Sequence, residues 1–239
     1  WAAFHESVTT PLESHNIPVA ITPGNHDASG YIKFAYEREI YTKVWLNHIP
    51  EVTFVEDSNY PFYYAFEMAN TLFVSLDNTR VEGLGQIQKS WLANILATDS
   101  QNTIVFGHLP IVPFAERKQT EYLQDPDIHQ LFTNNNIDLY ISGHHHAYYP
   151  GIFEGLPVLS MPCLGSGSRH LMGNSTRSPK GLVQITITEE SIQLDAFDTS
   201  NHLALIERTS LPQIISTEIG TIYRDDLYQY TSFRHSDSH

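Results

Sequence analysis

Hydrophobic residues along the chain recur at two different spacings, which predicts helices that alternate with strands. Helical spacing is found in residues 87–96, in residues 128–132 and, more loosely, in residues 31–47. Asp125-Pro126 precedes the second of these stretches and supplies a helix cap followed by a first-turn proline. We therefore expect three helices in the first 140 residues.

A fourth helical signal lies near the start of the chain. Thr10 and Pro11 are followed by Glu13, which is the arrangement of a capping box. This pattern predicts a short helix that starts at Thr10 rather than one that continues an earlier helix.

Runs of β-prone apolar residues predict strands between and after these helices. Residues 182–188 and 191–198 flank Glu189-Glu190 and indicate a hairpin. The clustering of strands after residue 150 predicts a second, more antiparallel sheet. The other predicted strands are residues 18–23, 52–56, 62–68, 71–76, 103–106, 137–142, 151–153 and 157–162.

The expected fold class is therefore α/β, a two-sheet β-sandwich flanked by helices. From about Thr209 onward, polar residues and Pro212 weaken every periodic pattern. We expect one domain over residues 1–208, followed by a loosely ordered C-terminal tail over residues 209–239.

Composition limits the classes of function. The chain has 239 residues, of which 41% are hydrophobic, as expected for one domain with a core of its own. Its formal net charge of −14 argues against non-specific nucleic-acid binding, which needs clustered Lys and Arg. No apolar run is long enough to predict a membrane span, and the sequence leaves localisation open. The single cysteine, Cys163, is expected to be a small buried apolar residue.

Three short strings carry the candidate chemistry. Each follows an apolar, β-prone run, so its side chains lie where a strand ends, the place where α/β sheets hold ligands and catalytic groups. Their imidazole and amide groups are donors that suit Zn, Fe and Mn. The glycine that opens each string is expected to relieve crowding at a sharp turn. The strings are Gly24-Asn25-His26-Asp27, Gly107-His108-Leu109-Pro110 and Gly143-His144-His145-His146.

The order of these strings resembles the calcineurin-like metallophosphoesterase family, whose motifs are a GNH-acid string, a later GH pair and a final GHxH. The resemblance implies the fold of that family and hydrolysis of a phosphate mono- or diester by a hydroxide that bridges two divalent ions, Mn, Fe or Zn. It implies that Asn25, His108 and His144 ligate one ion and that His146 ligates the other. The implied substrate is a phosphate-ester small molecule or a nucleotide.

The same resemblance implies that His26 is not a ligand but protonates the leaving oxygen, with Asp27 orienting it. An imidazole beside a carboxylate has a fixed tautomer and favours its acid form near neutral pH. His145 is not expected to be a ligand, since residues two apart in an extended segment point the same way and the one between points away. Arg80 is a weaker candidate for a phosphate clamp, because a solvated loop arginine is the commoner case.

The resembled family also has Asp-x-His and Gly-Asp strings, and neither precedes Gly24. We therefore expect residues 1–239 to be the larger, C-terminal part of a phosphoesterase domain whose first strands are missing, nearly inactive and poorly folded on its own. The alternative is a catalytically silent scaffold with this fold that binds protein partners. A mononuclear zinc hydrolase would need a string such as His-Glu-x-x-His, which the sequence does not contain.

Overall fold

A computed structural model of the protein describes residues 1–227. The fold is mixed α/β, with a large sheet, a small second sheet and flanking helices, which confirms the predicted class. The strands are β1 (Thr53–Glu56), β2 (Tyr64–Met68), β3 (Thr71–Ser75), β4 (Asn102–Gly107), β5 (Leu139–Ser142), β6 (Tyr149–Phe153), β7 (Leu156–Ser160), β8 (Gly181–Ile187), β9 (Ile192–Asp198), β10 (Ala204–Leu205), β11 (Ile214–Thr217) and β12 (Gly220–Arg224).

Three helices agree with the predicted stretches, and two short ones lie near the start of the chain. No helix in the described part has the length and apolar character that crossing a bilayer requires. The helices are α1 (Ala2–Phe4), α2 (Thr10–Glu13), α3 (Ala35–Trp45), α4 (Gln86–Leu96) and α5 (Pro126–Asn134).

The large sheet has the strand order β1-β2-β3-β4-β5-β7-β6-β12-β11. Its centre is parallel, from β3 through β4 and β5 to β7, and its two flanks are antiparallel. Helices α4 and α5 connect β3 to β4 and β4 to β5, so the carboxyl ends of these strands share one edge. Gly107 at the end of β4 pairs with Ser142 at the end of β5, which places the next residues of both strands side by side.

The second sheet is antiparallel, with the order β10-β9-β8, and β8 and β9 form the predicted hairpin. It is smaller than the clustering of strands after residue 150 suggests. Strand β7 pairs in parallel with β5, and β6 pairs with β7, so both belong to the large sheet. The prediction of a second antiparallel sheet is thus correct for residues 181–205 only.

The start of the chain differs from its prediction. The backbone is helical from α1 through a π-helix at His5–Thr9 and on into α2, so no new helix starts at Thr10. The N–H of Thr10 donates to the carbonyl of His5, one residue further back than in an α-helix. Pro11 has no N–H to donate and crowds the preceding turn, and the wider π-turn before it provides the room.

The predicted strand at residues 18–23 is an extended segment without a strand partner among residues 1–227. Hydroxyl groups take the place of a neighbouring strand. The Tyr64 hydroxyl accepts the N–H of Ile21 at 2.7 Å and donates to the Ile21 carbonyl at 2.6 Å, and the Ser75 hydroxyl donates to the same carbonyl at 3.0 Å. Side chains from β2 and β3 therefore satisfy this backbone, which leads directly into the first glycine string.

Residues 209–227 do not form the loosely attached stretch that their polar composition suggests. Strand β12 pairs with β6 and β11 pairs with β12. The guanidinium of Arg208 donates to both carboxylate oxygens of Asp225, at 2.9 and 3.0 Å, and to the Leu194 carbonyl at 2.7 Å. Strand pairing and this ion pair thus attach residues whose hydrophobic spacing does not predict strands. Residues 228–239 of the expected tail lie outside the described residues, and a separate domain over residues 1–208 stays a prediction.

Cys163 is buried, as predicted.

Candidate metal centre

Three donor atoms from three separate strings meet at the shared edge of β4 and β5. The Nε2 atom of His108 lies 2.7 Å from the amide oxygen of Asn25 and 3.0 Å from the Nδ1 atom of His144. Asn25 follows the extended segment, His108 follows β4, and His144 follows β5 by two residues. The structure therefore brings three of the four predicted ligands together, while their role as ligands stays a prediction.

Asn78 determines the position of His108. Its side chain is almost completely buried. The Asn78 amide oxygen accepts the N–H of His108 at 2.5 Å and that of Leu109 at 3.3 Å, and its NH2 group donates to the Leu109 carbonyl at 2.9 Å and the Tyr140 hydroxyl at 2.7 Å. One side chain thus satisfies the backbone of the turn after β4. Sequence reasoning passed over Asn78, and its position shortly after the end of β3 was the only available signal.

The glycines that open the strings do not all have the expected role. A Cβ atom at Gly107 would lie 2.6 Å from the Asn78 amide oxygen, and one at Gly24 would lie 2.6 Å from a carboxylate oxygen of Asp27. At Gly143 the nearest atom would be 3.8 Å away, so the crowding expected there is absent. The sharp turn comes one residue later, since His144 adopts a φ of 60°, in the left-handed region. His146 does the same, with a φ of 52°.

The turn that carries Asn25 and His26 is fixed from two sides. Within it, the N–H of Ala28 donates to the Gly24 carbonyl at 2.9 Å. From outside, the Arg38 guanidinium donates to the Ala28 carbonyl at 2.8 Å and pairs with the Asp77 carboxylate at 2.6 Å. Arg38 therefore ties this turn to the segment that follows β3.

His26 and Asp27 are both exposed at this turn, and the carboxylate of Asp27 lies against Gly24. Burial of that carboxylate raises the pKa of Asp27, and the neighbouring His26 partly offsets the effect. No hydrogen bond joins His26 to Asp27 in the described part of the chain, so the orienting role of Asp27 stays a prediction.

His146 lies apart from the other three predicted ligands. Its Nδ1 atom is 3.2 Å from the Gly167 carbonyl, to which it donates, and it has no hydrogen bond to Asn25, His108 or His144. Across residues 1–227, no group of three or more His, Cys, Asp and Glu side chains is placed to hold a metal ion. The meeting point therefore consists of an amide and two imidazoles, without a carboxylate, and the described residues do not assemble a dinuclear site.

The two imidazoles of the meeting point are held in their neutral form. Burial, together with the neighbouring His144, lowers the pKa of His108 to about 3. Burial also lowers the pKa of His144, although the hydrogen bond to Glu121 works in the opposite direction. A neutral imidazole keeps a lone pair on one ring nitrogen, which is what a metal ion requires.

The side chains of Glu121 and His145 lie near His144, and sequence reasoning did not predict the contacts of either one. The Nε2 atom of His144 lies 2.8 Å from a carboxylate oxygen of Glu121, which also pairs with the Lys118 ammonium. His145 is completely buried, and both of its ring nitrogens are hydrogen-bonded, at 3.1 Å to the N–H of Phe114 and at 2.9 Å to the carbonyl of Glu121.

A cleft of about 440 Å³ opens beside the meeting point. Arg80, the weaker candidate for a phosphate clamp, is exposed, lies 3.7 Å from the Glu82 carboxylate and does not line this cleft. The lining residues are Asn25, His26, Ser29, Tyr31, Lys33, Phe34, Glu37, Thr79, Val81, Leu109, Glu121 and His144.

Comparison with protein families gives one match. The sequence profile of the calcineurin-like phosphoesterase family matches residues 3–148, a range that includes all three strings. A search of curated protein sequences finds no match.

Comparison with solved structures gives several matches. A purple acid phosphatase, PPD1, from yellow lupin (Lupinus luteus) seeds is 18% identical, with a TM-score of 0.56, over 77% of this chain and 38% of that one. PhoD is 13% identical, with a TM-score of 0.49, over 81% of this chain and 50% of that one. A putative 5'-nucleotidase from Staphylococcus aureus is 14% identical, with a TM-score of 0.40, over 87% and 42%. The chain thus spans half or less of the length of each, and the likeness to the lupin protein concerns the fold alone.

Proposed function

The chain belongs to the calcineurin-like phosphoesterase family, and we propose that it hydrolyses phosphate esters with a divalent cation held by Asn25, His108 and His144. One observation carries this proposal: an amide oxygen and two ring nitrogens from distant parts of the sequence meet within 3.0 Å at the shared edge of β4 and β5.

The chemistry of the donor set fits such a cation. Imidazole nitrogen and amide oxygen suit Zn, Fe and Mn, and the two rings are neutral. Three protein donors beside an open cleft also leave room for water and substrate, as in catalytic rather than structural sites. When bound, the cation would polarise a phosphoryl oxygen and acidify the attacking water.

A second cation is a prediction from the family alone. His146 donates its Nδ1 hydrogen to the Gly167 carbonyl, which leaves Nε2 as the atom that could ligate. The described residues form no group of three or more His, Cys, Asp and Glu side chains around it. We therefore propose one cation for the donors described, and we expect turnover by this chain alone to be low because no carboxylate completes the set.

The remaining groups of the cleft have roles toward the substrate. His26 is exposed on the cleft wall next to Asn25, where it would give a proton to the leaving oxygen of the ester. Tyr31 and Phe34 also line the cleft, and their rings offer apolar surface to an ester that carries an aromatic group. An aryl phosphate is accordingly a suitable test substrate.

The experiment is hydrolysis of 4-nitrophenyl phosphate by the full chain with added Mn²⁺. We expect slow turnover that depends on Mn²⁺ and falls by about 100-fold in His26→Ala, the usual loss when a general acid is removed. The His108→Ala variant should lose the hydrolysis that Mn²⁺ stimulates. His15→Ala changes an exposed histidine outside the cleft and should behave like the wild type.

Hydrolysis that is equal with and without Mn²⁺, or that persists unchanged in His108→Ala, contradicts the proposal. A folded chain without any detectable hydrolysis contradicts it as well and favours the silent scaffold instead.

A further inference from the structure

We propose that Glu121 is a positioning residue that fixes the tautomer of His144, so that the lone pair of this ring is on Nδ1 and faces Asn25 and His108. The inference rests on the proposed function for its consequence, which is cation affinity. The contact itself is independent of that proposal.

The tautomer follows from hydrogen-bond chemistry. An ionised carboxylate only accepts, so the Nε2 atom of His144, at 2.8 Å from the Glu121 carboxylate, must carry the ring hydrogen. A neutral imidazole has one such hydrogen, and Nδ1 therefore keeps its lone pair. The Lys118 ammonium pairs with the same carboxylate.

The neighbouring atoms agree with this assignment. Nδ1 of His144 and the amide oxygen of Asn25 are then both acceptors, and Nε2 of His108 lies between them at 3.0 and 2.7 Å. In this hydrogen-bonded arrangement His108 carries its own hydrogen on Nε2, and that hydrogen would have to move to Nδ1 for Nε2 to ligate a cation. A ring hydrogen on Nδ1 of His144 would break this pattern by placing two donors against each other.

His145, the residue next to His144, fixes the backbone of Glu121. The carbonyl of Glu121 accepts a hydrogen bond at 2.9 Å from Nε2 of His145, whose Nδ1 accepts the N–H of Phe114 at 3.1 Å. Because His145 is completely buried, the backbone of Glu121 has little freedom to move. Two consecutive histidines thus hold the carboxylate and the carbonyl of one glutamate.

This arrangement matches a general feature of metal sites. Ligating histidines usually donate their second ring nitrogen to a carboxylate or a carbonyl, and loss of that partner weakens metal binding by about 10–100-fold. His144 has a carboxylate partner and His146 a carbonyl partner. Glu121 would therefore act on the cation through His144 without touching it.

The test combines two readouts on the full chain. Nitrogen-15 NMR of labelled histidines reports which ring nitrogen of His144 carries hydrogen, and a competition titration with Zn²⁺ reports affinity. We expect an Nε2-protonated ring in the wild type, a mixture of tautomers in Glu121→Ala, and Zn²⁺ affinity about 10–100-fold lower in that variant. Glu121→Gln, which keeps an acceptor oxygen, should show an intermediate loss.

The matched control is Glu116→Ala. Glu116 lies in the same loop, but its carboxylate accepts from the backbone N–H of Gly173 and from Gln119 instead. Its removal should leave the ring signals of His144 and the Zn²⁺ affinity unchanged. If Glu121→Ala does not fold, as judged by circular dichroism, the same two measurements are made on the nearly isosteric Glu121→Gln.

The possible outcomes separate the two proposals. An Nδ1-protonated His144 in the wild type, or ring signals of His144 unchanged in both Glu121 variants, overturns the inference. A wild-type chain that does not bind Zn²⁺ but whose His144 tautomer depends on Glu121 supports the positioning role and contradicts the proposed cation site.

Discussion

The amide oxygen of Asn25 and the Nε2 atom of His108 lie 2.7 Å apart, although 83 positions separate the two residues in the sequence. Two structural arrangements produce this contact. Arg38 holds the turn that carries Asn25, and Asn78 holds the turn that carries His108. The metal proposal therefore depends on residues that would never touch the cation.

Substitution of the glycine before His108 tests the crowding around Asn78. A Cβ atom at Gly107 would lie 2.6 Å from the buried Asn78 amide, whereas one at Gly143 would have no neighbour closer than 3.8 Å. We expect Gly107→Ala to lower the free energy of unfolding by about 1–3 kcal/mol, as overpacking does. Gly143→Ala is the matched control and should change it by less than about 1 kcal/mol. Urea denaturation measures both, and equal effects in the two variants would refute this account of the turns.

Removal of the Asn78 side chain should destabilise the turn after β4. Asn78→Ala leaves the N–H groups of His108 and Leu109 without their acceptor, whereas the Leu109 carbonyl keeps the Tyr140 hydroxyl as a donor. An unsatisfied buried group costs about 1–3 kcal/mol, so the free energy of unfolding should fall by about 3 kcal/mol. Asn47→Ala, at an exposed residue at the end of α3, should cost less than about 0.5 kcal/mol. If Asn78→Ala lowers the free energy of unfolding no more than this control does, the hydrogen bonds of Asn78 add nothing to stability.

Acid should loosen the start of the chain. The imidazole rings of His5 and His48 stack at 4.0 Å, with 9° between their planes. Burial lowers the pKa of His5, as does the neighbouring His48, whereas the Glu13 carboxylate, 3.4 Å from His48, raises it. The folded state thus prefers neutral His5, so its contribution is complete above about pH 6.5 and is lost as the pH falls toward the lowered pKa.

Tryptophan fluorescence measures this loss, because the rings of Trp1 and Trp45 lie 6.2 and 5.4 Å from the His5 ring. The emission should change between about pH 7 and pH 5 in the wild type. In His5→Phe, which keeps an aromatic ring but cannot titrate, the change should be much smaller. An identical pH profile in the variant would exclude His5 as the titrating group.

The sequence predicts the main elements of the fold and the location of the candidate site because these depend on local patterns. The apolar runs before His108 and His144 predict β4 and β5 directly, and the carboxyl ends of neighbouring parallel strands lie at one edge. The convergence of the two histidines could therefore be expected. Two other parts of the chain were less predictable. The π-turn before Pro11 and the strands after Pro212 depend on contacts that hydrophobic spacing does not show.

The groups around the donor atoms could not be predicted, for a different reason. Glu121 and Asn78 act through hydrogen bonds to residues that are 23 and 30 positions away. Nothing in the local sequence distinguishes Glu121 from the other acidic residues of its loop. Only the folded chain shows that His145 holds its carbonyl while His144 meets its carboxylate.

The most direct test of the account is a calorimetric titration of the full chain with Zn²⁺, compared with the Asn25→Ala and His108→Ala variants. The account predicts saturable binding of one cation by the wild type and a loss of affinity of at least about tenfold in each variant, since each removes one of three donors. His15→Ala should titrate like the wild type. A wild-type chain that does not bind Zn²⁺, or one whose binding is the same in all variants, would contradict the central claim.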